Sequence, residues 1–160
     1  MKEVTIRNEL KSGDIGYITY LHGKLHSNEF GFDHTFEAYV GEPLSQFAKR
    51  NNPRERLWVV EYENEIVCSI AICEFSEPIA QLRWFLLSPK MRGKGLGKQL
   101  IHEALRFSKE MSYSEVYLWT VKGLEAARKI YLDQGFSLVK EITSKTWGSE
   151  YTEQKYSVSV

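Results

Sequence analysis

A glycine-rich basic loop, RGKGLGK at 92–98, holds the residues best suited to chemistry. Its glycines occupy every second position: Gly93, Gly95 and Gly97. Glycine permits unusual backbone dihedrals and leaves neighbouring N–H groups uncovered. An apolar stretch precedes the loop and an amphipathic stretch follows it, so the loop is predicted to run into the first turn of a helix. Free N–H groups and the positive end of the helix dipole favour an anion there. We therefore predict a phosphate or pyrophosphate site, to which three side chains add positive charge: Arg92, Lys94 and Lys98.

The spacing of the loop excludes the two common nucleotide-binding motifs. The dinucleotide fingerprint G-x-G-x-x-G would need a third glycine where this chain has Lys98. A P-loop needs four residues between its glycines, whereas Gly93 and Gly97 enclose three. The remaining pattern is R-x-x-G-x-G, from Arg92 to Gly97, between a predicted strand and a predicted helix. A simple turn that joins the two elements is the alternative interpretation.

The rest of the chain predicts the elements that position this loop. Strands are indicated by alternating or β-branched stretches at 3–7, 57–62, 66–75, 79–87, 116–121, 136–143 and 151–160. Helices are indicated by apolar residues three or four apart at 15–25, 36–47, 96–105 and 124–131. Gly31 is predicted to end or bend the first helix and Gly135 to end the last one, and Gly41 and Pro43 are predicted to kink or split the second. The order β-α-α-β-β-β-α-β-α-β-β predicts an α/β (α+β) fold.

Length and composition indicate one folded domain over residues 1–160. Apolar residues make up 42% and aromatic residues 13%, which excludes a disordered chain. Lys and Arg number 21, as do Asp and Glu, and the net charge of zero argues against a general nucleic-acid binder. The polar N-terminus and the lack of a long apolar run predict a cytoplasmic protein without a membrane span. Cys68 and Cys73 are predicted to lie on opposite faces of one strand, buried and unpaired.

Two motifs resemble those of a known superfamily. One is R-x-x-G-x-G from Arg92 to Gly97, and the other is A-x-x-x-Y-x-x-x-G-F from Ala127 to Phe136. They resemble the GNAT superfamily of acyl-CoA-dependent N-acetyltransferases, and RWFLLSP at 83–89 resembles bacterial members that are sometimes fused to a MarR-type regulator. No such regulator is expected in this chain. The resemblance implies one domain with a mixed, mostly antiparallel central sheet and flanking helices. Two neighbouring strands of that sheet splay apart, and the pantetheine arm of the cofactor lies between them.

The resemblance also implies which residues hold acetyl-CoA and which act on it. Backbone N–H groups of the loop would bind the pyrophosphate: Arg92, Gly93, Lys94, Gly95, Leu96, Gly97 and Lys98. The strand at Leu86 and Leu87 would pair with the pantetheine amides, and a backbone N–H near Leu87 would bind the thioester oxygen. Thr120, at the end of its strand, would supply one hydrogen bond to the cofactor in place of an asparagine that many relatives carry. Tyr131 would act as general acid towards the leaving thiolate; an ordinary core tyrosine is the alternative.

Two positions depart from the family pattern. Many relatives carry a glutamate as general base eleven residues before the loop motif, where this chain has Gln81. A glutamine cannot accept and hold a proton. The proton of the amine would then go to one of three alternatives: Glu74 or Glu29, each reached through water, or bulk solvent. Many relatives also carry a cofactor-binding asparagine seven residues before the tyrosine, where this chain has Leu124.

The first two helices border the acceptor site in this fold. Three aromatic residues are predicted to line a substrate pocket there: Tyr20, Phe32 and Tyr39. Three acidic residues nearby would favour a cationic amine: Glu29, Asp33 and Glu37. His22 and His26, four residues apart on the first helix, are predicted to occupy a solvated face. No metal site is expected.

These expectations describe an N-acetyltransferase that moves the acetyl group of acetyl-CoA to a primary amine by direct attack. Three alternatives stay open: a catalytically weak or inactive sensor that binds acyl-CoA, an enzyme that uses a longer acyl group, and a nucleotide- or RNA-binding module. Gln81 is the reason to keep the first. The sequence leaves open the acceptor, the general base, the acyl-chain preference and the oligomeric state. A homodimer joined through the last strand is a further expectation.

Overall fold

A seven-stranded sheet forms the centre of the computed structural model, which describes residues 3–160. Its strands are β1 (Thr5–Arg7), β2 (Arg56–Tyr62), β3 (Glu65–Ser76), β4 (Ile79–Leu87), β5 (Glu115–Val121), β6 (Ser137–Ser144) and β7 (Tyr151–Ser159). The helices are α1 (Asp14–Phe30), α2 (His34–Arg50), α3 (Leu96–Glu110) and α4 (Glu125–Asp133). The strand order is β1-β2-β3-β4-β5-β7-β6, and every neighbouring pair is antiparallel except β4 with β5. The predicted order of elements and the mixed, mostly antiparallel sheet are confirmed.

The sheet separates two apolar cores. On one face, Leu100 of α3 and Tyr131 of α4 pack in the same core as Cys68. On the other face, Ile18 of α1 and residues of α2 pack in the same core as Cys73. The two cysteines therefore lie on opposite faces of β3, as predicted, and both are buried free thiols.

The second helix, α2, is continuous from His34 to Arg50, although it contains Gly41 and Pro43. The predicted split does not occur. A proline inside a helix costs about 3 kcal/mol, because it removes a hydrogen bond and clashes with the preceding turn. Burial offsets that cost, since each core side chain of α2 contributes roughly 1.5–3 kcal/mol. These side chains are Phe36, Val40, Leu44 and Phe47.

The strands β4 and β5 run side by side only at their first residues. Three pairs join them: Ile79–Glu115, Ala80–Val116 and Gln81–Tyr117. Beyond Gln81, β4 stays paired with β3 and β5 stays paired with β7, so the facing edges of β4 and β5 separate. The splayed pair implied by the resemblance is therefore present. The edge of β4 from Leu82 to Leu87 has no strand partner across the gap, so backbone polar groups on that edge are available to a ligand.

A bulge in β4 changes which of its side chains face each core. The register pairs on either side of it are Ser69–Leu86 and Ala71–Arg83. Since β4 has one more residue than β3 between these pairs, the strand bends there. Trp84 takes a left-handed backbone (φ 49), and the hydroxyl of Ser69 donates a hydrogen bond of 2.6 Å to its carbonyl. Leu82 packs in the core with α3, whereas Trp84, two residues later, packs in the core with α2.

The last strand lies inside the sheet. Because β7 pairs with both β5 and β6, the free edges of the sheet belong to β1 and β6. A dimer seam along the edge of the last strand is therefore not available in this topology. Three apolar side chains of β6 are exposed: Leu138, Val139 and Ile142. None of the helices within residues 3–160 has the length and hydrophobicity that a bilayer crossing requires.

Candidate active site

The gap between β4 and β5 opens into a cavity of about 310 Å³, a size typical of small-molecule sites. Its walls come from β4, β5, α4 and the facing sides of α1 and α2. It brings together most of the predicted site residues: Glu29, Tyr39, Leu86, Leu87, Arg92, Gly93, Thr120 and Tyr131. The loop residues 94–98 and Phe32 do not line it.

The glycine-rich loop presents the uncapped N-terminus of α3. Gly95 is the N-cap residue, takes a left-handed backbone (φ 80) and makes no side-chain cap. The first-turn N–H groups of the helix are therefore available to an anion. They belong to Leu96, Gly97 and Lys98. Gly97 lets this helix end approach β4 and α4, since a Cβ atom there would lie 3.0 Å from Cδ1 of Ile130 and 3.3 Å from Cζ of Phe85.

The loop and the cleft suit two parts of an acyl-CoA molecule, its pyrophosphate and its pantetheine arm. The uncapped helix end, with Lys94 and Lys98 exposed beside it, suits a negatively charged pyrophosphate. The free edge of β4 suits an extended pantetheine arm, because backbone amides can pair with it as an added strand would. Arg92 and Gly93 line the cavity where the loop meets the cleft.

Tyr131 lies in the cavity wall and is 4% exposed. Its ring packs against those of Phe85 and Tyr156, at centroid distances of 6.1 and 5.9 Å. Burial raises the pKa of its phenol well above the ordinary value, and the side chain of Thr120 opposes this in part. The phenol is therefore protonated at neutral pH, so it can donate a proton but cannot act as a base.

The sequence matches a known family model over most of the residues that build these walls; His22, Trp147 and Glu153 lie outside the matched region. Residues 24–136 match the model of the acetyltransferase (GNAT) family. The chain belongs to the GNAT family. The match extends from α1 to the end of α4 and contains both the loop motif and the motif around Tyr131.

Curated relatives of this GNAT chain align with about half of it. The uncharacterized N-acetyltransferase YjgM of Escherichia coli is 35% identical over 89 residues, which are 54% of this chain and 53% of that protein. N-acetyltransferase 8F1 of Rattus norvegicus is 32% identical over 90 residues, which are 53% of this chain and 41% of that protein. The matched region thus spans about half, or less, of these relatives.

Solved GNAT structures share the fold over nearly the whole chain. An acetyltransferase of the GNAT family from Staphylococcus aureus has a TM-score of 0.78 at 16% identity, covering 98% of this chain and 99% of that chain. Spermidine N-acetyltransferase from Vibrio cholerae, in complex with CoA and spermine, has a TM-score of 0.71 at 20% identity, covering 98% and 95%. At these identities the likeness shows the fold alone.

The two carboxylates considered as general bases from the sequence are each paired with an arginine. Glu29 lines the cavity but lies 3.6 Å from the guanidinium of Arg92. Glu74 does not line the cavity, and its carboxylate lies 3.6 Å from Arg54. Glu74 is therefore in no position to take a proton from a substrate in this cavity.

Gln81, at the position of the family's glutamate, lies in the cavity wall. Its amide oxygen accepts a hydrogen bond of 3.1 Å from the hydroxyl of Tyr117. This bond fixes the orientation of the amide, but an amide still has no capacity to hold a proton at neutral pH.

Three further residues of the cavity wall were not predicted from the sequence: Arg83, Trp147 and Glu153. Trp147, in the turn between β6 and β7, packs against the ring of Tyr39 at a centroid distance of 5.0 Å. Glu153 on β7 is half-buried, and burial raises the pKa of its carboxyl group. Arg83 belongs to the quoted stretch RWFLLSP, but its contact with the ring of Trp84 depends on the bulge in β4, which leaves no pattern in the sequence.

The prediction that His22 and His26 occupy a solvated face is wrong, since both line the cavity. The Nδ1 of His22 donates a hydrogen bond of 2.8 Å to the carbonyl of Ile18, and its Nε2 has no partner within residues 3–160. Burial lowers the pKa of His22 to about 4, so the ring is neutral. The ring of His26 packs on that of Phe36 at 4.4 Å. The described part of the chain holds no group of three side chains suited to a metal ion.

The predicted acceptor residues of α1 and α2 are only partly in the cavity. Tyr39 and Glu29 line it. Phe32 is buried in the core behind the wall, with its ring 5.1 Å from that of Trp147. Three residues lie outside the lining: Tyr20, Asp33 and Glu37. The expected preference for a cationic amine rested on these acidic groups and loses most of its basis.

Proposed function

We propose that this protein is an acyl-CoA-dependent N-acetyltransferase that moves the acetyl group of acetyl-CoA to a primary amine by direct attack. The observation that carries the proposal is the cleft where β4 loses β5 as its neighbour. The uncapped N-terminus of α3 lies beside this cleft, and a buried, protonated Tyr131 lies in its wall. Membership of the GNAT family, whose relatives are named N-acetyltransferases, supports the same activity.

Two parts of the chain would hold the acetyl-CoA. The first-turn N–H groups of α3, with Lys94 and Lys98, would bind its pyrophosphate. The free edge of β4 at Leu86 and Leu87 would pair with the pantetheine amides, and Thr120 across the gap would offer its hydroxyl. When bound, acetyl-CoA supplies an activated acetyl group as a thioester, and transfer of that group to an amine leaves a free thiol.

The chain would then stabilise charge on oxygen and supply a proton to sulfur. A backbone N–H near Leu87 would donate to the carbonyl oxygen as negative charge develops there. Tyr131 would give its phenolic proton to the departing sulfur. The nitrogen forms the new C–N bond as the C–S bond breaks. From an ammonium ion, nitrogen loses two protons, sulfur gains one, and one is released to solvent.

Position, and not acidity, would make Tyr131 the proton donor. In water a phenol has a pKa near ~10 and a thiol near ~8.5, so transfer from phenol to thiolate is uphill. Burial raises the pKa of Tyr131 further. The same apolar surroundings also destabilise a thiolate anion, which raises its affinity for a proton. The two effects offset each other, and the short path between phenol and sulfur decides the transfer.

A protein that binds acyl-CoA without turnover is the second candidate. Gln81 favours it, because an amide stands where many relatives have their general base, and Tyr117 holds its oxygen in place. Such a protein would keep the loop and the cleft while lacking a group that deprotonates the amine.

Calorimetric titration of CoA and acetyl-CoA, run beside an amine screen that detects thiol release, tests the proposal. Binding together with turnover on at least one primary amine is the expected result. Binding without turnover on a broad panel would favour the second candidate. A protein that binds neither CoA nor acetyl-CoA would overturn both.

A further inference from the structure

Two charged side chains in the cavity have no part in the reaction described above. Arg83 and Glu153 both line the cavity, and within residues 3–160 neither side chain makes a hydrogen bond or an ion pair. A charged group in a partly buried site is costly unless an opposite charge neutralises it. The cavity therefore holds one cation and one anion that a ligand can neutralise.

Arg83 is held over an aromatic ring and keeps its hydrogen-bond donors available. Its guanidinium carbon lies 4.7 Å from the ring centroid of Trp84, the residue whose left-handed backbone forms the bulge in β4. Stacking restrains the plane of the guanidinium without using its N–H groups. An arginine presented in this way suits a carboxylate, which it can bind through two parallel hydrogen bonds.

Glu153 is a half-buried carboxylate at the wide end of the gap. It pairs in register with Val121, the last residue of the strand that separates from β4. Burial raises the pKa of its carboxyl group, and no neighbouring cation opposes that effect. A ligand ammonium group would supply the missing positive charge and stabilise the ionised carboxylate.

Tyr39 and Trp147 form an aromatic wall near both charges. Burial raises the pKa of the Tyr39 phenol; Arg83 opposes this shift and Glu153 adds to it, so both charges lie within electrostatic reach of the phenol. Arg83 and Glu153 nevertheless form no ion pair with each other, which leaves them separated within one cavity. A small ligand with two opposite charges and an apolar body matches this arrangement.

We infer that the acceptor is an amino carboxylate, a small molecule that carries both a primary amine and a carboxylate. Arg83 binds the carboxylate, Glu153 binds the ammonium group, and the apolar body lies on the wall formed by Tyr39 and Trp147. This inference rests on the proposed function and specifies its substrate. A polyamine would place a second cation against Arg83, and a protein lysine would leave Arg83 without a counter-ion.

Glu153 also acts as the general base, a role that the amide of Gln81 cannot fill. One proton moves from the ammonium nitrogen to a carboxylate oxygen of Glu153, leaving a neutral amine with the lone pair that forms the C–N bond. The second proton leaves nitrogen for solvent as that bond forms, and sulfur takes a proton from Tyr131. Glu153 then releases its proton to solvent, and Tyr131 regains one from solvent. The overall release of one proton is unchanged. Burial favours this step, because the proton transfer converts a partly buried ion pair into two neutral groups.

Matched pairs of amino acids and their decarboxylated amines test the inference: phenylalanine with phenethylamine, tryptophan with tryptamine, and leucine with isopentylamine. We expect the wild type to favour the amino acid of at least one pair by about tenfold or more in kcat/KM. Arg83→Gln should abolish this preference by raising the KM of the amino acid. Arg128→Gln, which removes an exposed arginine outside the cavity lining, is the control and should keep it.

A second variant separates a catalytic role of Glu153 from a structural one. Glu153→Gln should lower kcat for both members of a pair by about a hundredfold. Raising the pH should restore part of the loss, because more of the amine is then already neutral. Glu141→Gln on β6, outside the lining, should leave kcat and its pH profile unchanged. A loss of kcat in Glu153→Gln that high pH does not relieve would contradict the role of base.

Titration of the same pairs into the CoA-saturated protein distinguishes this inference from the proposed function. If no amine is acetylated but the amino acids bind and Arg83→Gln abolishes that binding, the site assignment stands and the transfer reaction fails. If amines are acetylated without preference for a carboxylate, or the preference survives in Arg83→Gln, the proposed function stands and the inference fails. Absence of both binding and turnover for every amino acid would overturn the inference.

Discussion

Among single residues, Tyr131 has the position and protonation state that bear most directly on acetyl transfer. Tyr131→Phe would keep the ring packing against Phe85 and Tyr156 and remove only the hydroxyl. We expect kcat to fall by about a hundredfold, because the departing sulfur loses its proton donor. The KM for acetyl-CoA should change little, since in the proposed complex the pyrophosphate and the pantetheine would be bound by other residues. Steady-state kinetics with any accepted amine gives both quantities.

Tyr156→Phe is the matched control for this prediction. Tyr156 is buried in the same core, and its hydroxyl donates to Gln154 at 3.2 Å, but it does not line the cavity. Losing that bond should cost about 1 kcal/mol of stability and leave kcat nearly unchanged. Equal losses of kcat in the two variants would remove Tyr131 from the mechanism and assign it to the core.

The residues that could be predicted from the sequence are those that belong to local motifs. Tyr131 and the loop stand in short patterns whose spacing is set within one or two elements. The stacking of Arg83 on Trp84 depends on a bulge that Ser69 of the neighbouring strand stabilises, because the bulge brings Trp84 to the same face as Arg83. Glu153 enters the cavity because β7 pairs with β5, far away in sequence. Neither contact leaves a local pattern.

Among the elements, the junctions that begin α3 and α1 are built alike and provide a matched test. Gly95 and Gly13 are both N-cap residues with left-handed backbones and no side-chain cap, and an added Cβ would meet nothing within 4 Å at either. Aspartate would therefore bring similar strain and a similar ability to cap the helix. Only at Gly95 would its charge compete with a bound pyrophosphate.

We expect Gly95→Asp to weaken CoA binding by about tenfold or more, and Gly13→Asp to bind CoA as the wild type does. Calorimetry measures both affinities, and thermal unfolding of both variants shows whether the strain is matched. Equal affinities in Gly95→Asp and the wild type would exclude the start of α3 as the phosphate site, whatever else binds the cofactor.

Periodicity predicts the order and type of the elements, whereas the sheet type and the splayed pair followed only from the family resemblance, and the strand order was not predicted. Periodicity identifies each strand and helix, because burial on one face shapes each of them separately. It does not contain the strand order, which places β7 between β5 and β6. The predicted split of α2 at Pro43 was wrong for a related reason. The core contacts of α2 outweigh the helix-breaking tendency of proline.

At the scale of the whole molecule, the gap between β4 and β5 connects the two faces of the sheet. Tyr131 belongs to the core of α3 and α4, whereas Trp84 and Trp147 belong to that of α1 and α2, yet all three line the same cavity. In the proposed reaction the acceptor therefore approaches from one face while the sulfur receives its proton from the other. This separation keeps the general acid apart from the acceptor's charged groups.

The same architecture buries His22 in the cavity wall and makes stability depend on pH. Burial lowers the pKa of His22 from 6.5 to about 4 in the folded protein. Between these values the unfolded chain binds a proton that the folded protein does not, so the free energy of unfolding decreases as the pH falls through this window. The full shift corresponds to roughly 3 kcal/mol, of which about 2 kcal/mol is lost between about pH 7 and about pH 5.

Urea unfolding of His22→Gln at these two pH values measures that contribution. The variant should lose about 2 kcal/mol less than the wild type on acidification, because its side chain takes up no proton on unfolding. His26, whose pKa burial also lowers, is present in both proteins and cancels in the difference. His102→Gln, which removes an exposed histidine of α3, should keep the wild-type dependence. If the pH dependence of unfolding in His22→Gln equalled that of the wild type, the folded protein would accommodate a charged His22 ring. Water would then have to reach that ring in the cavity wall.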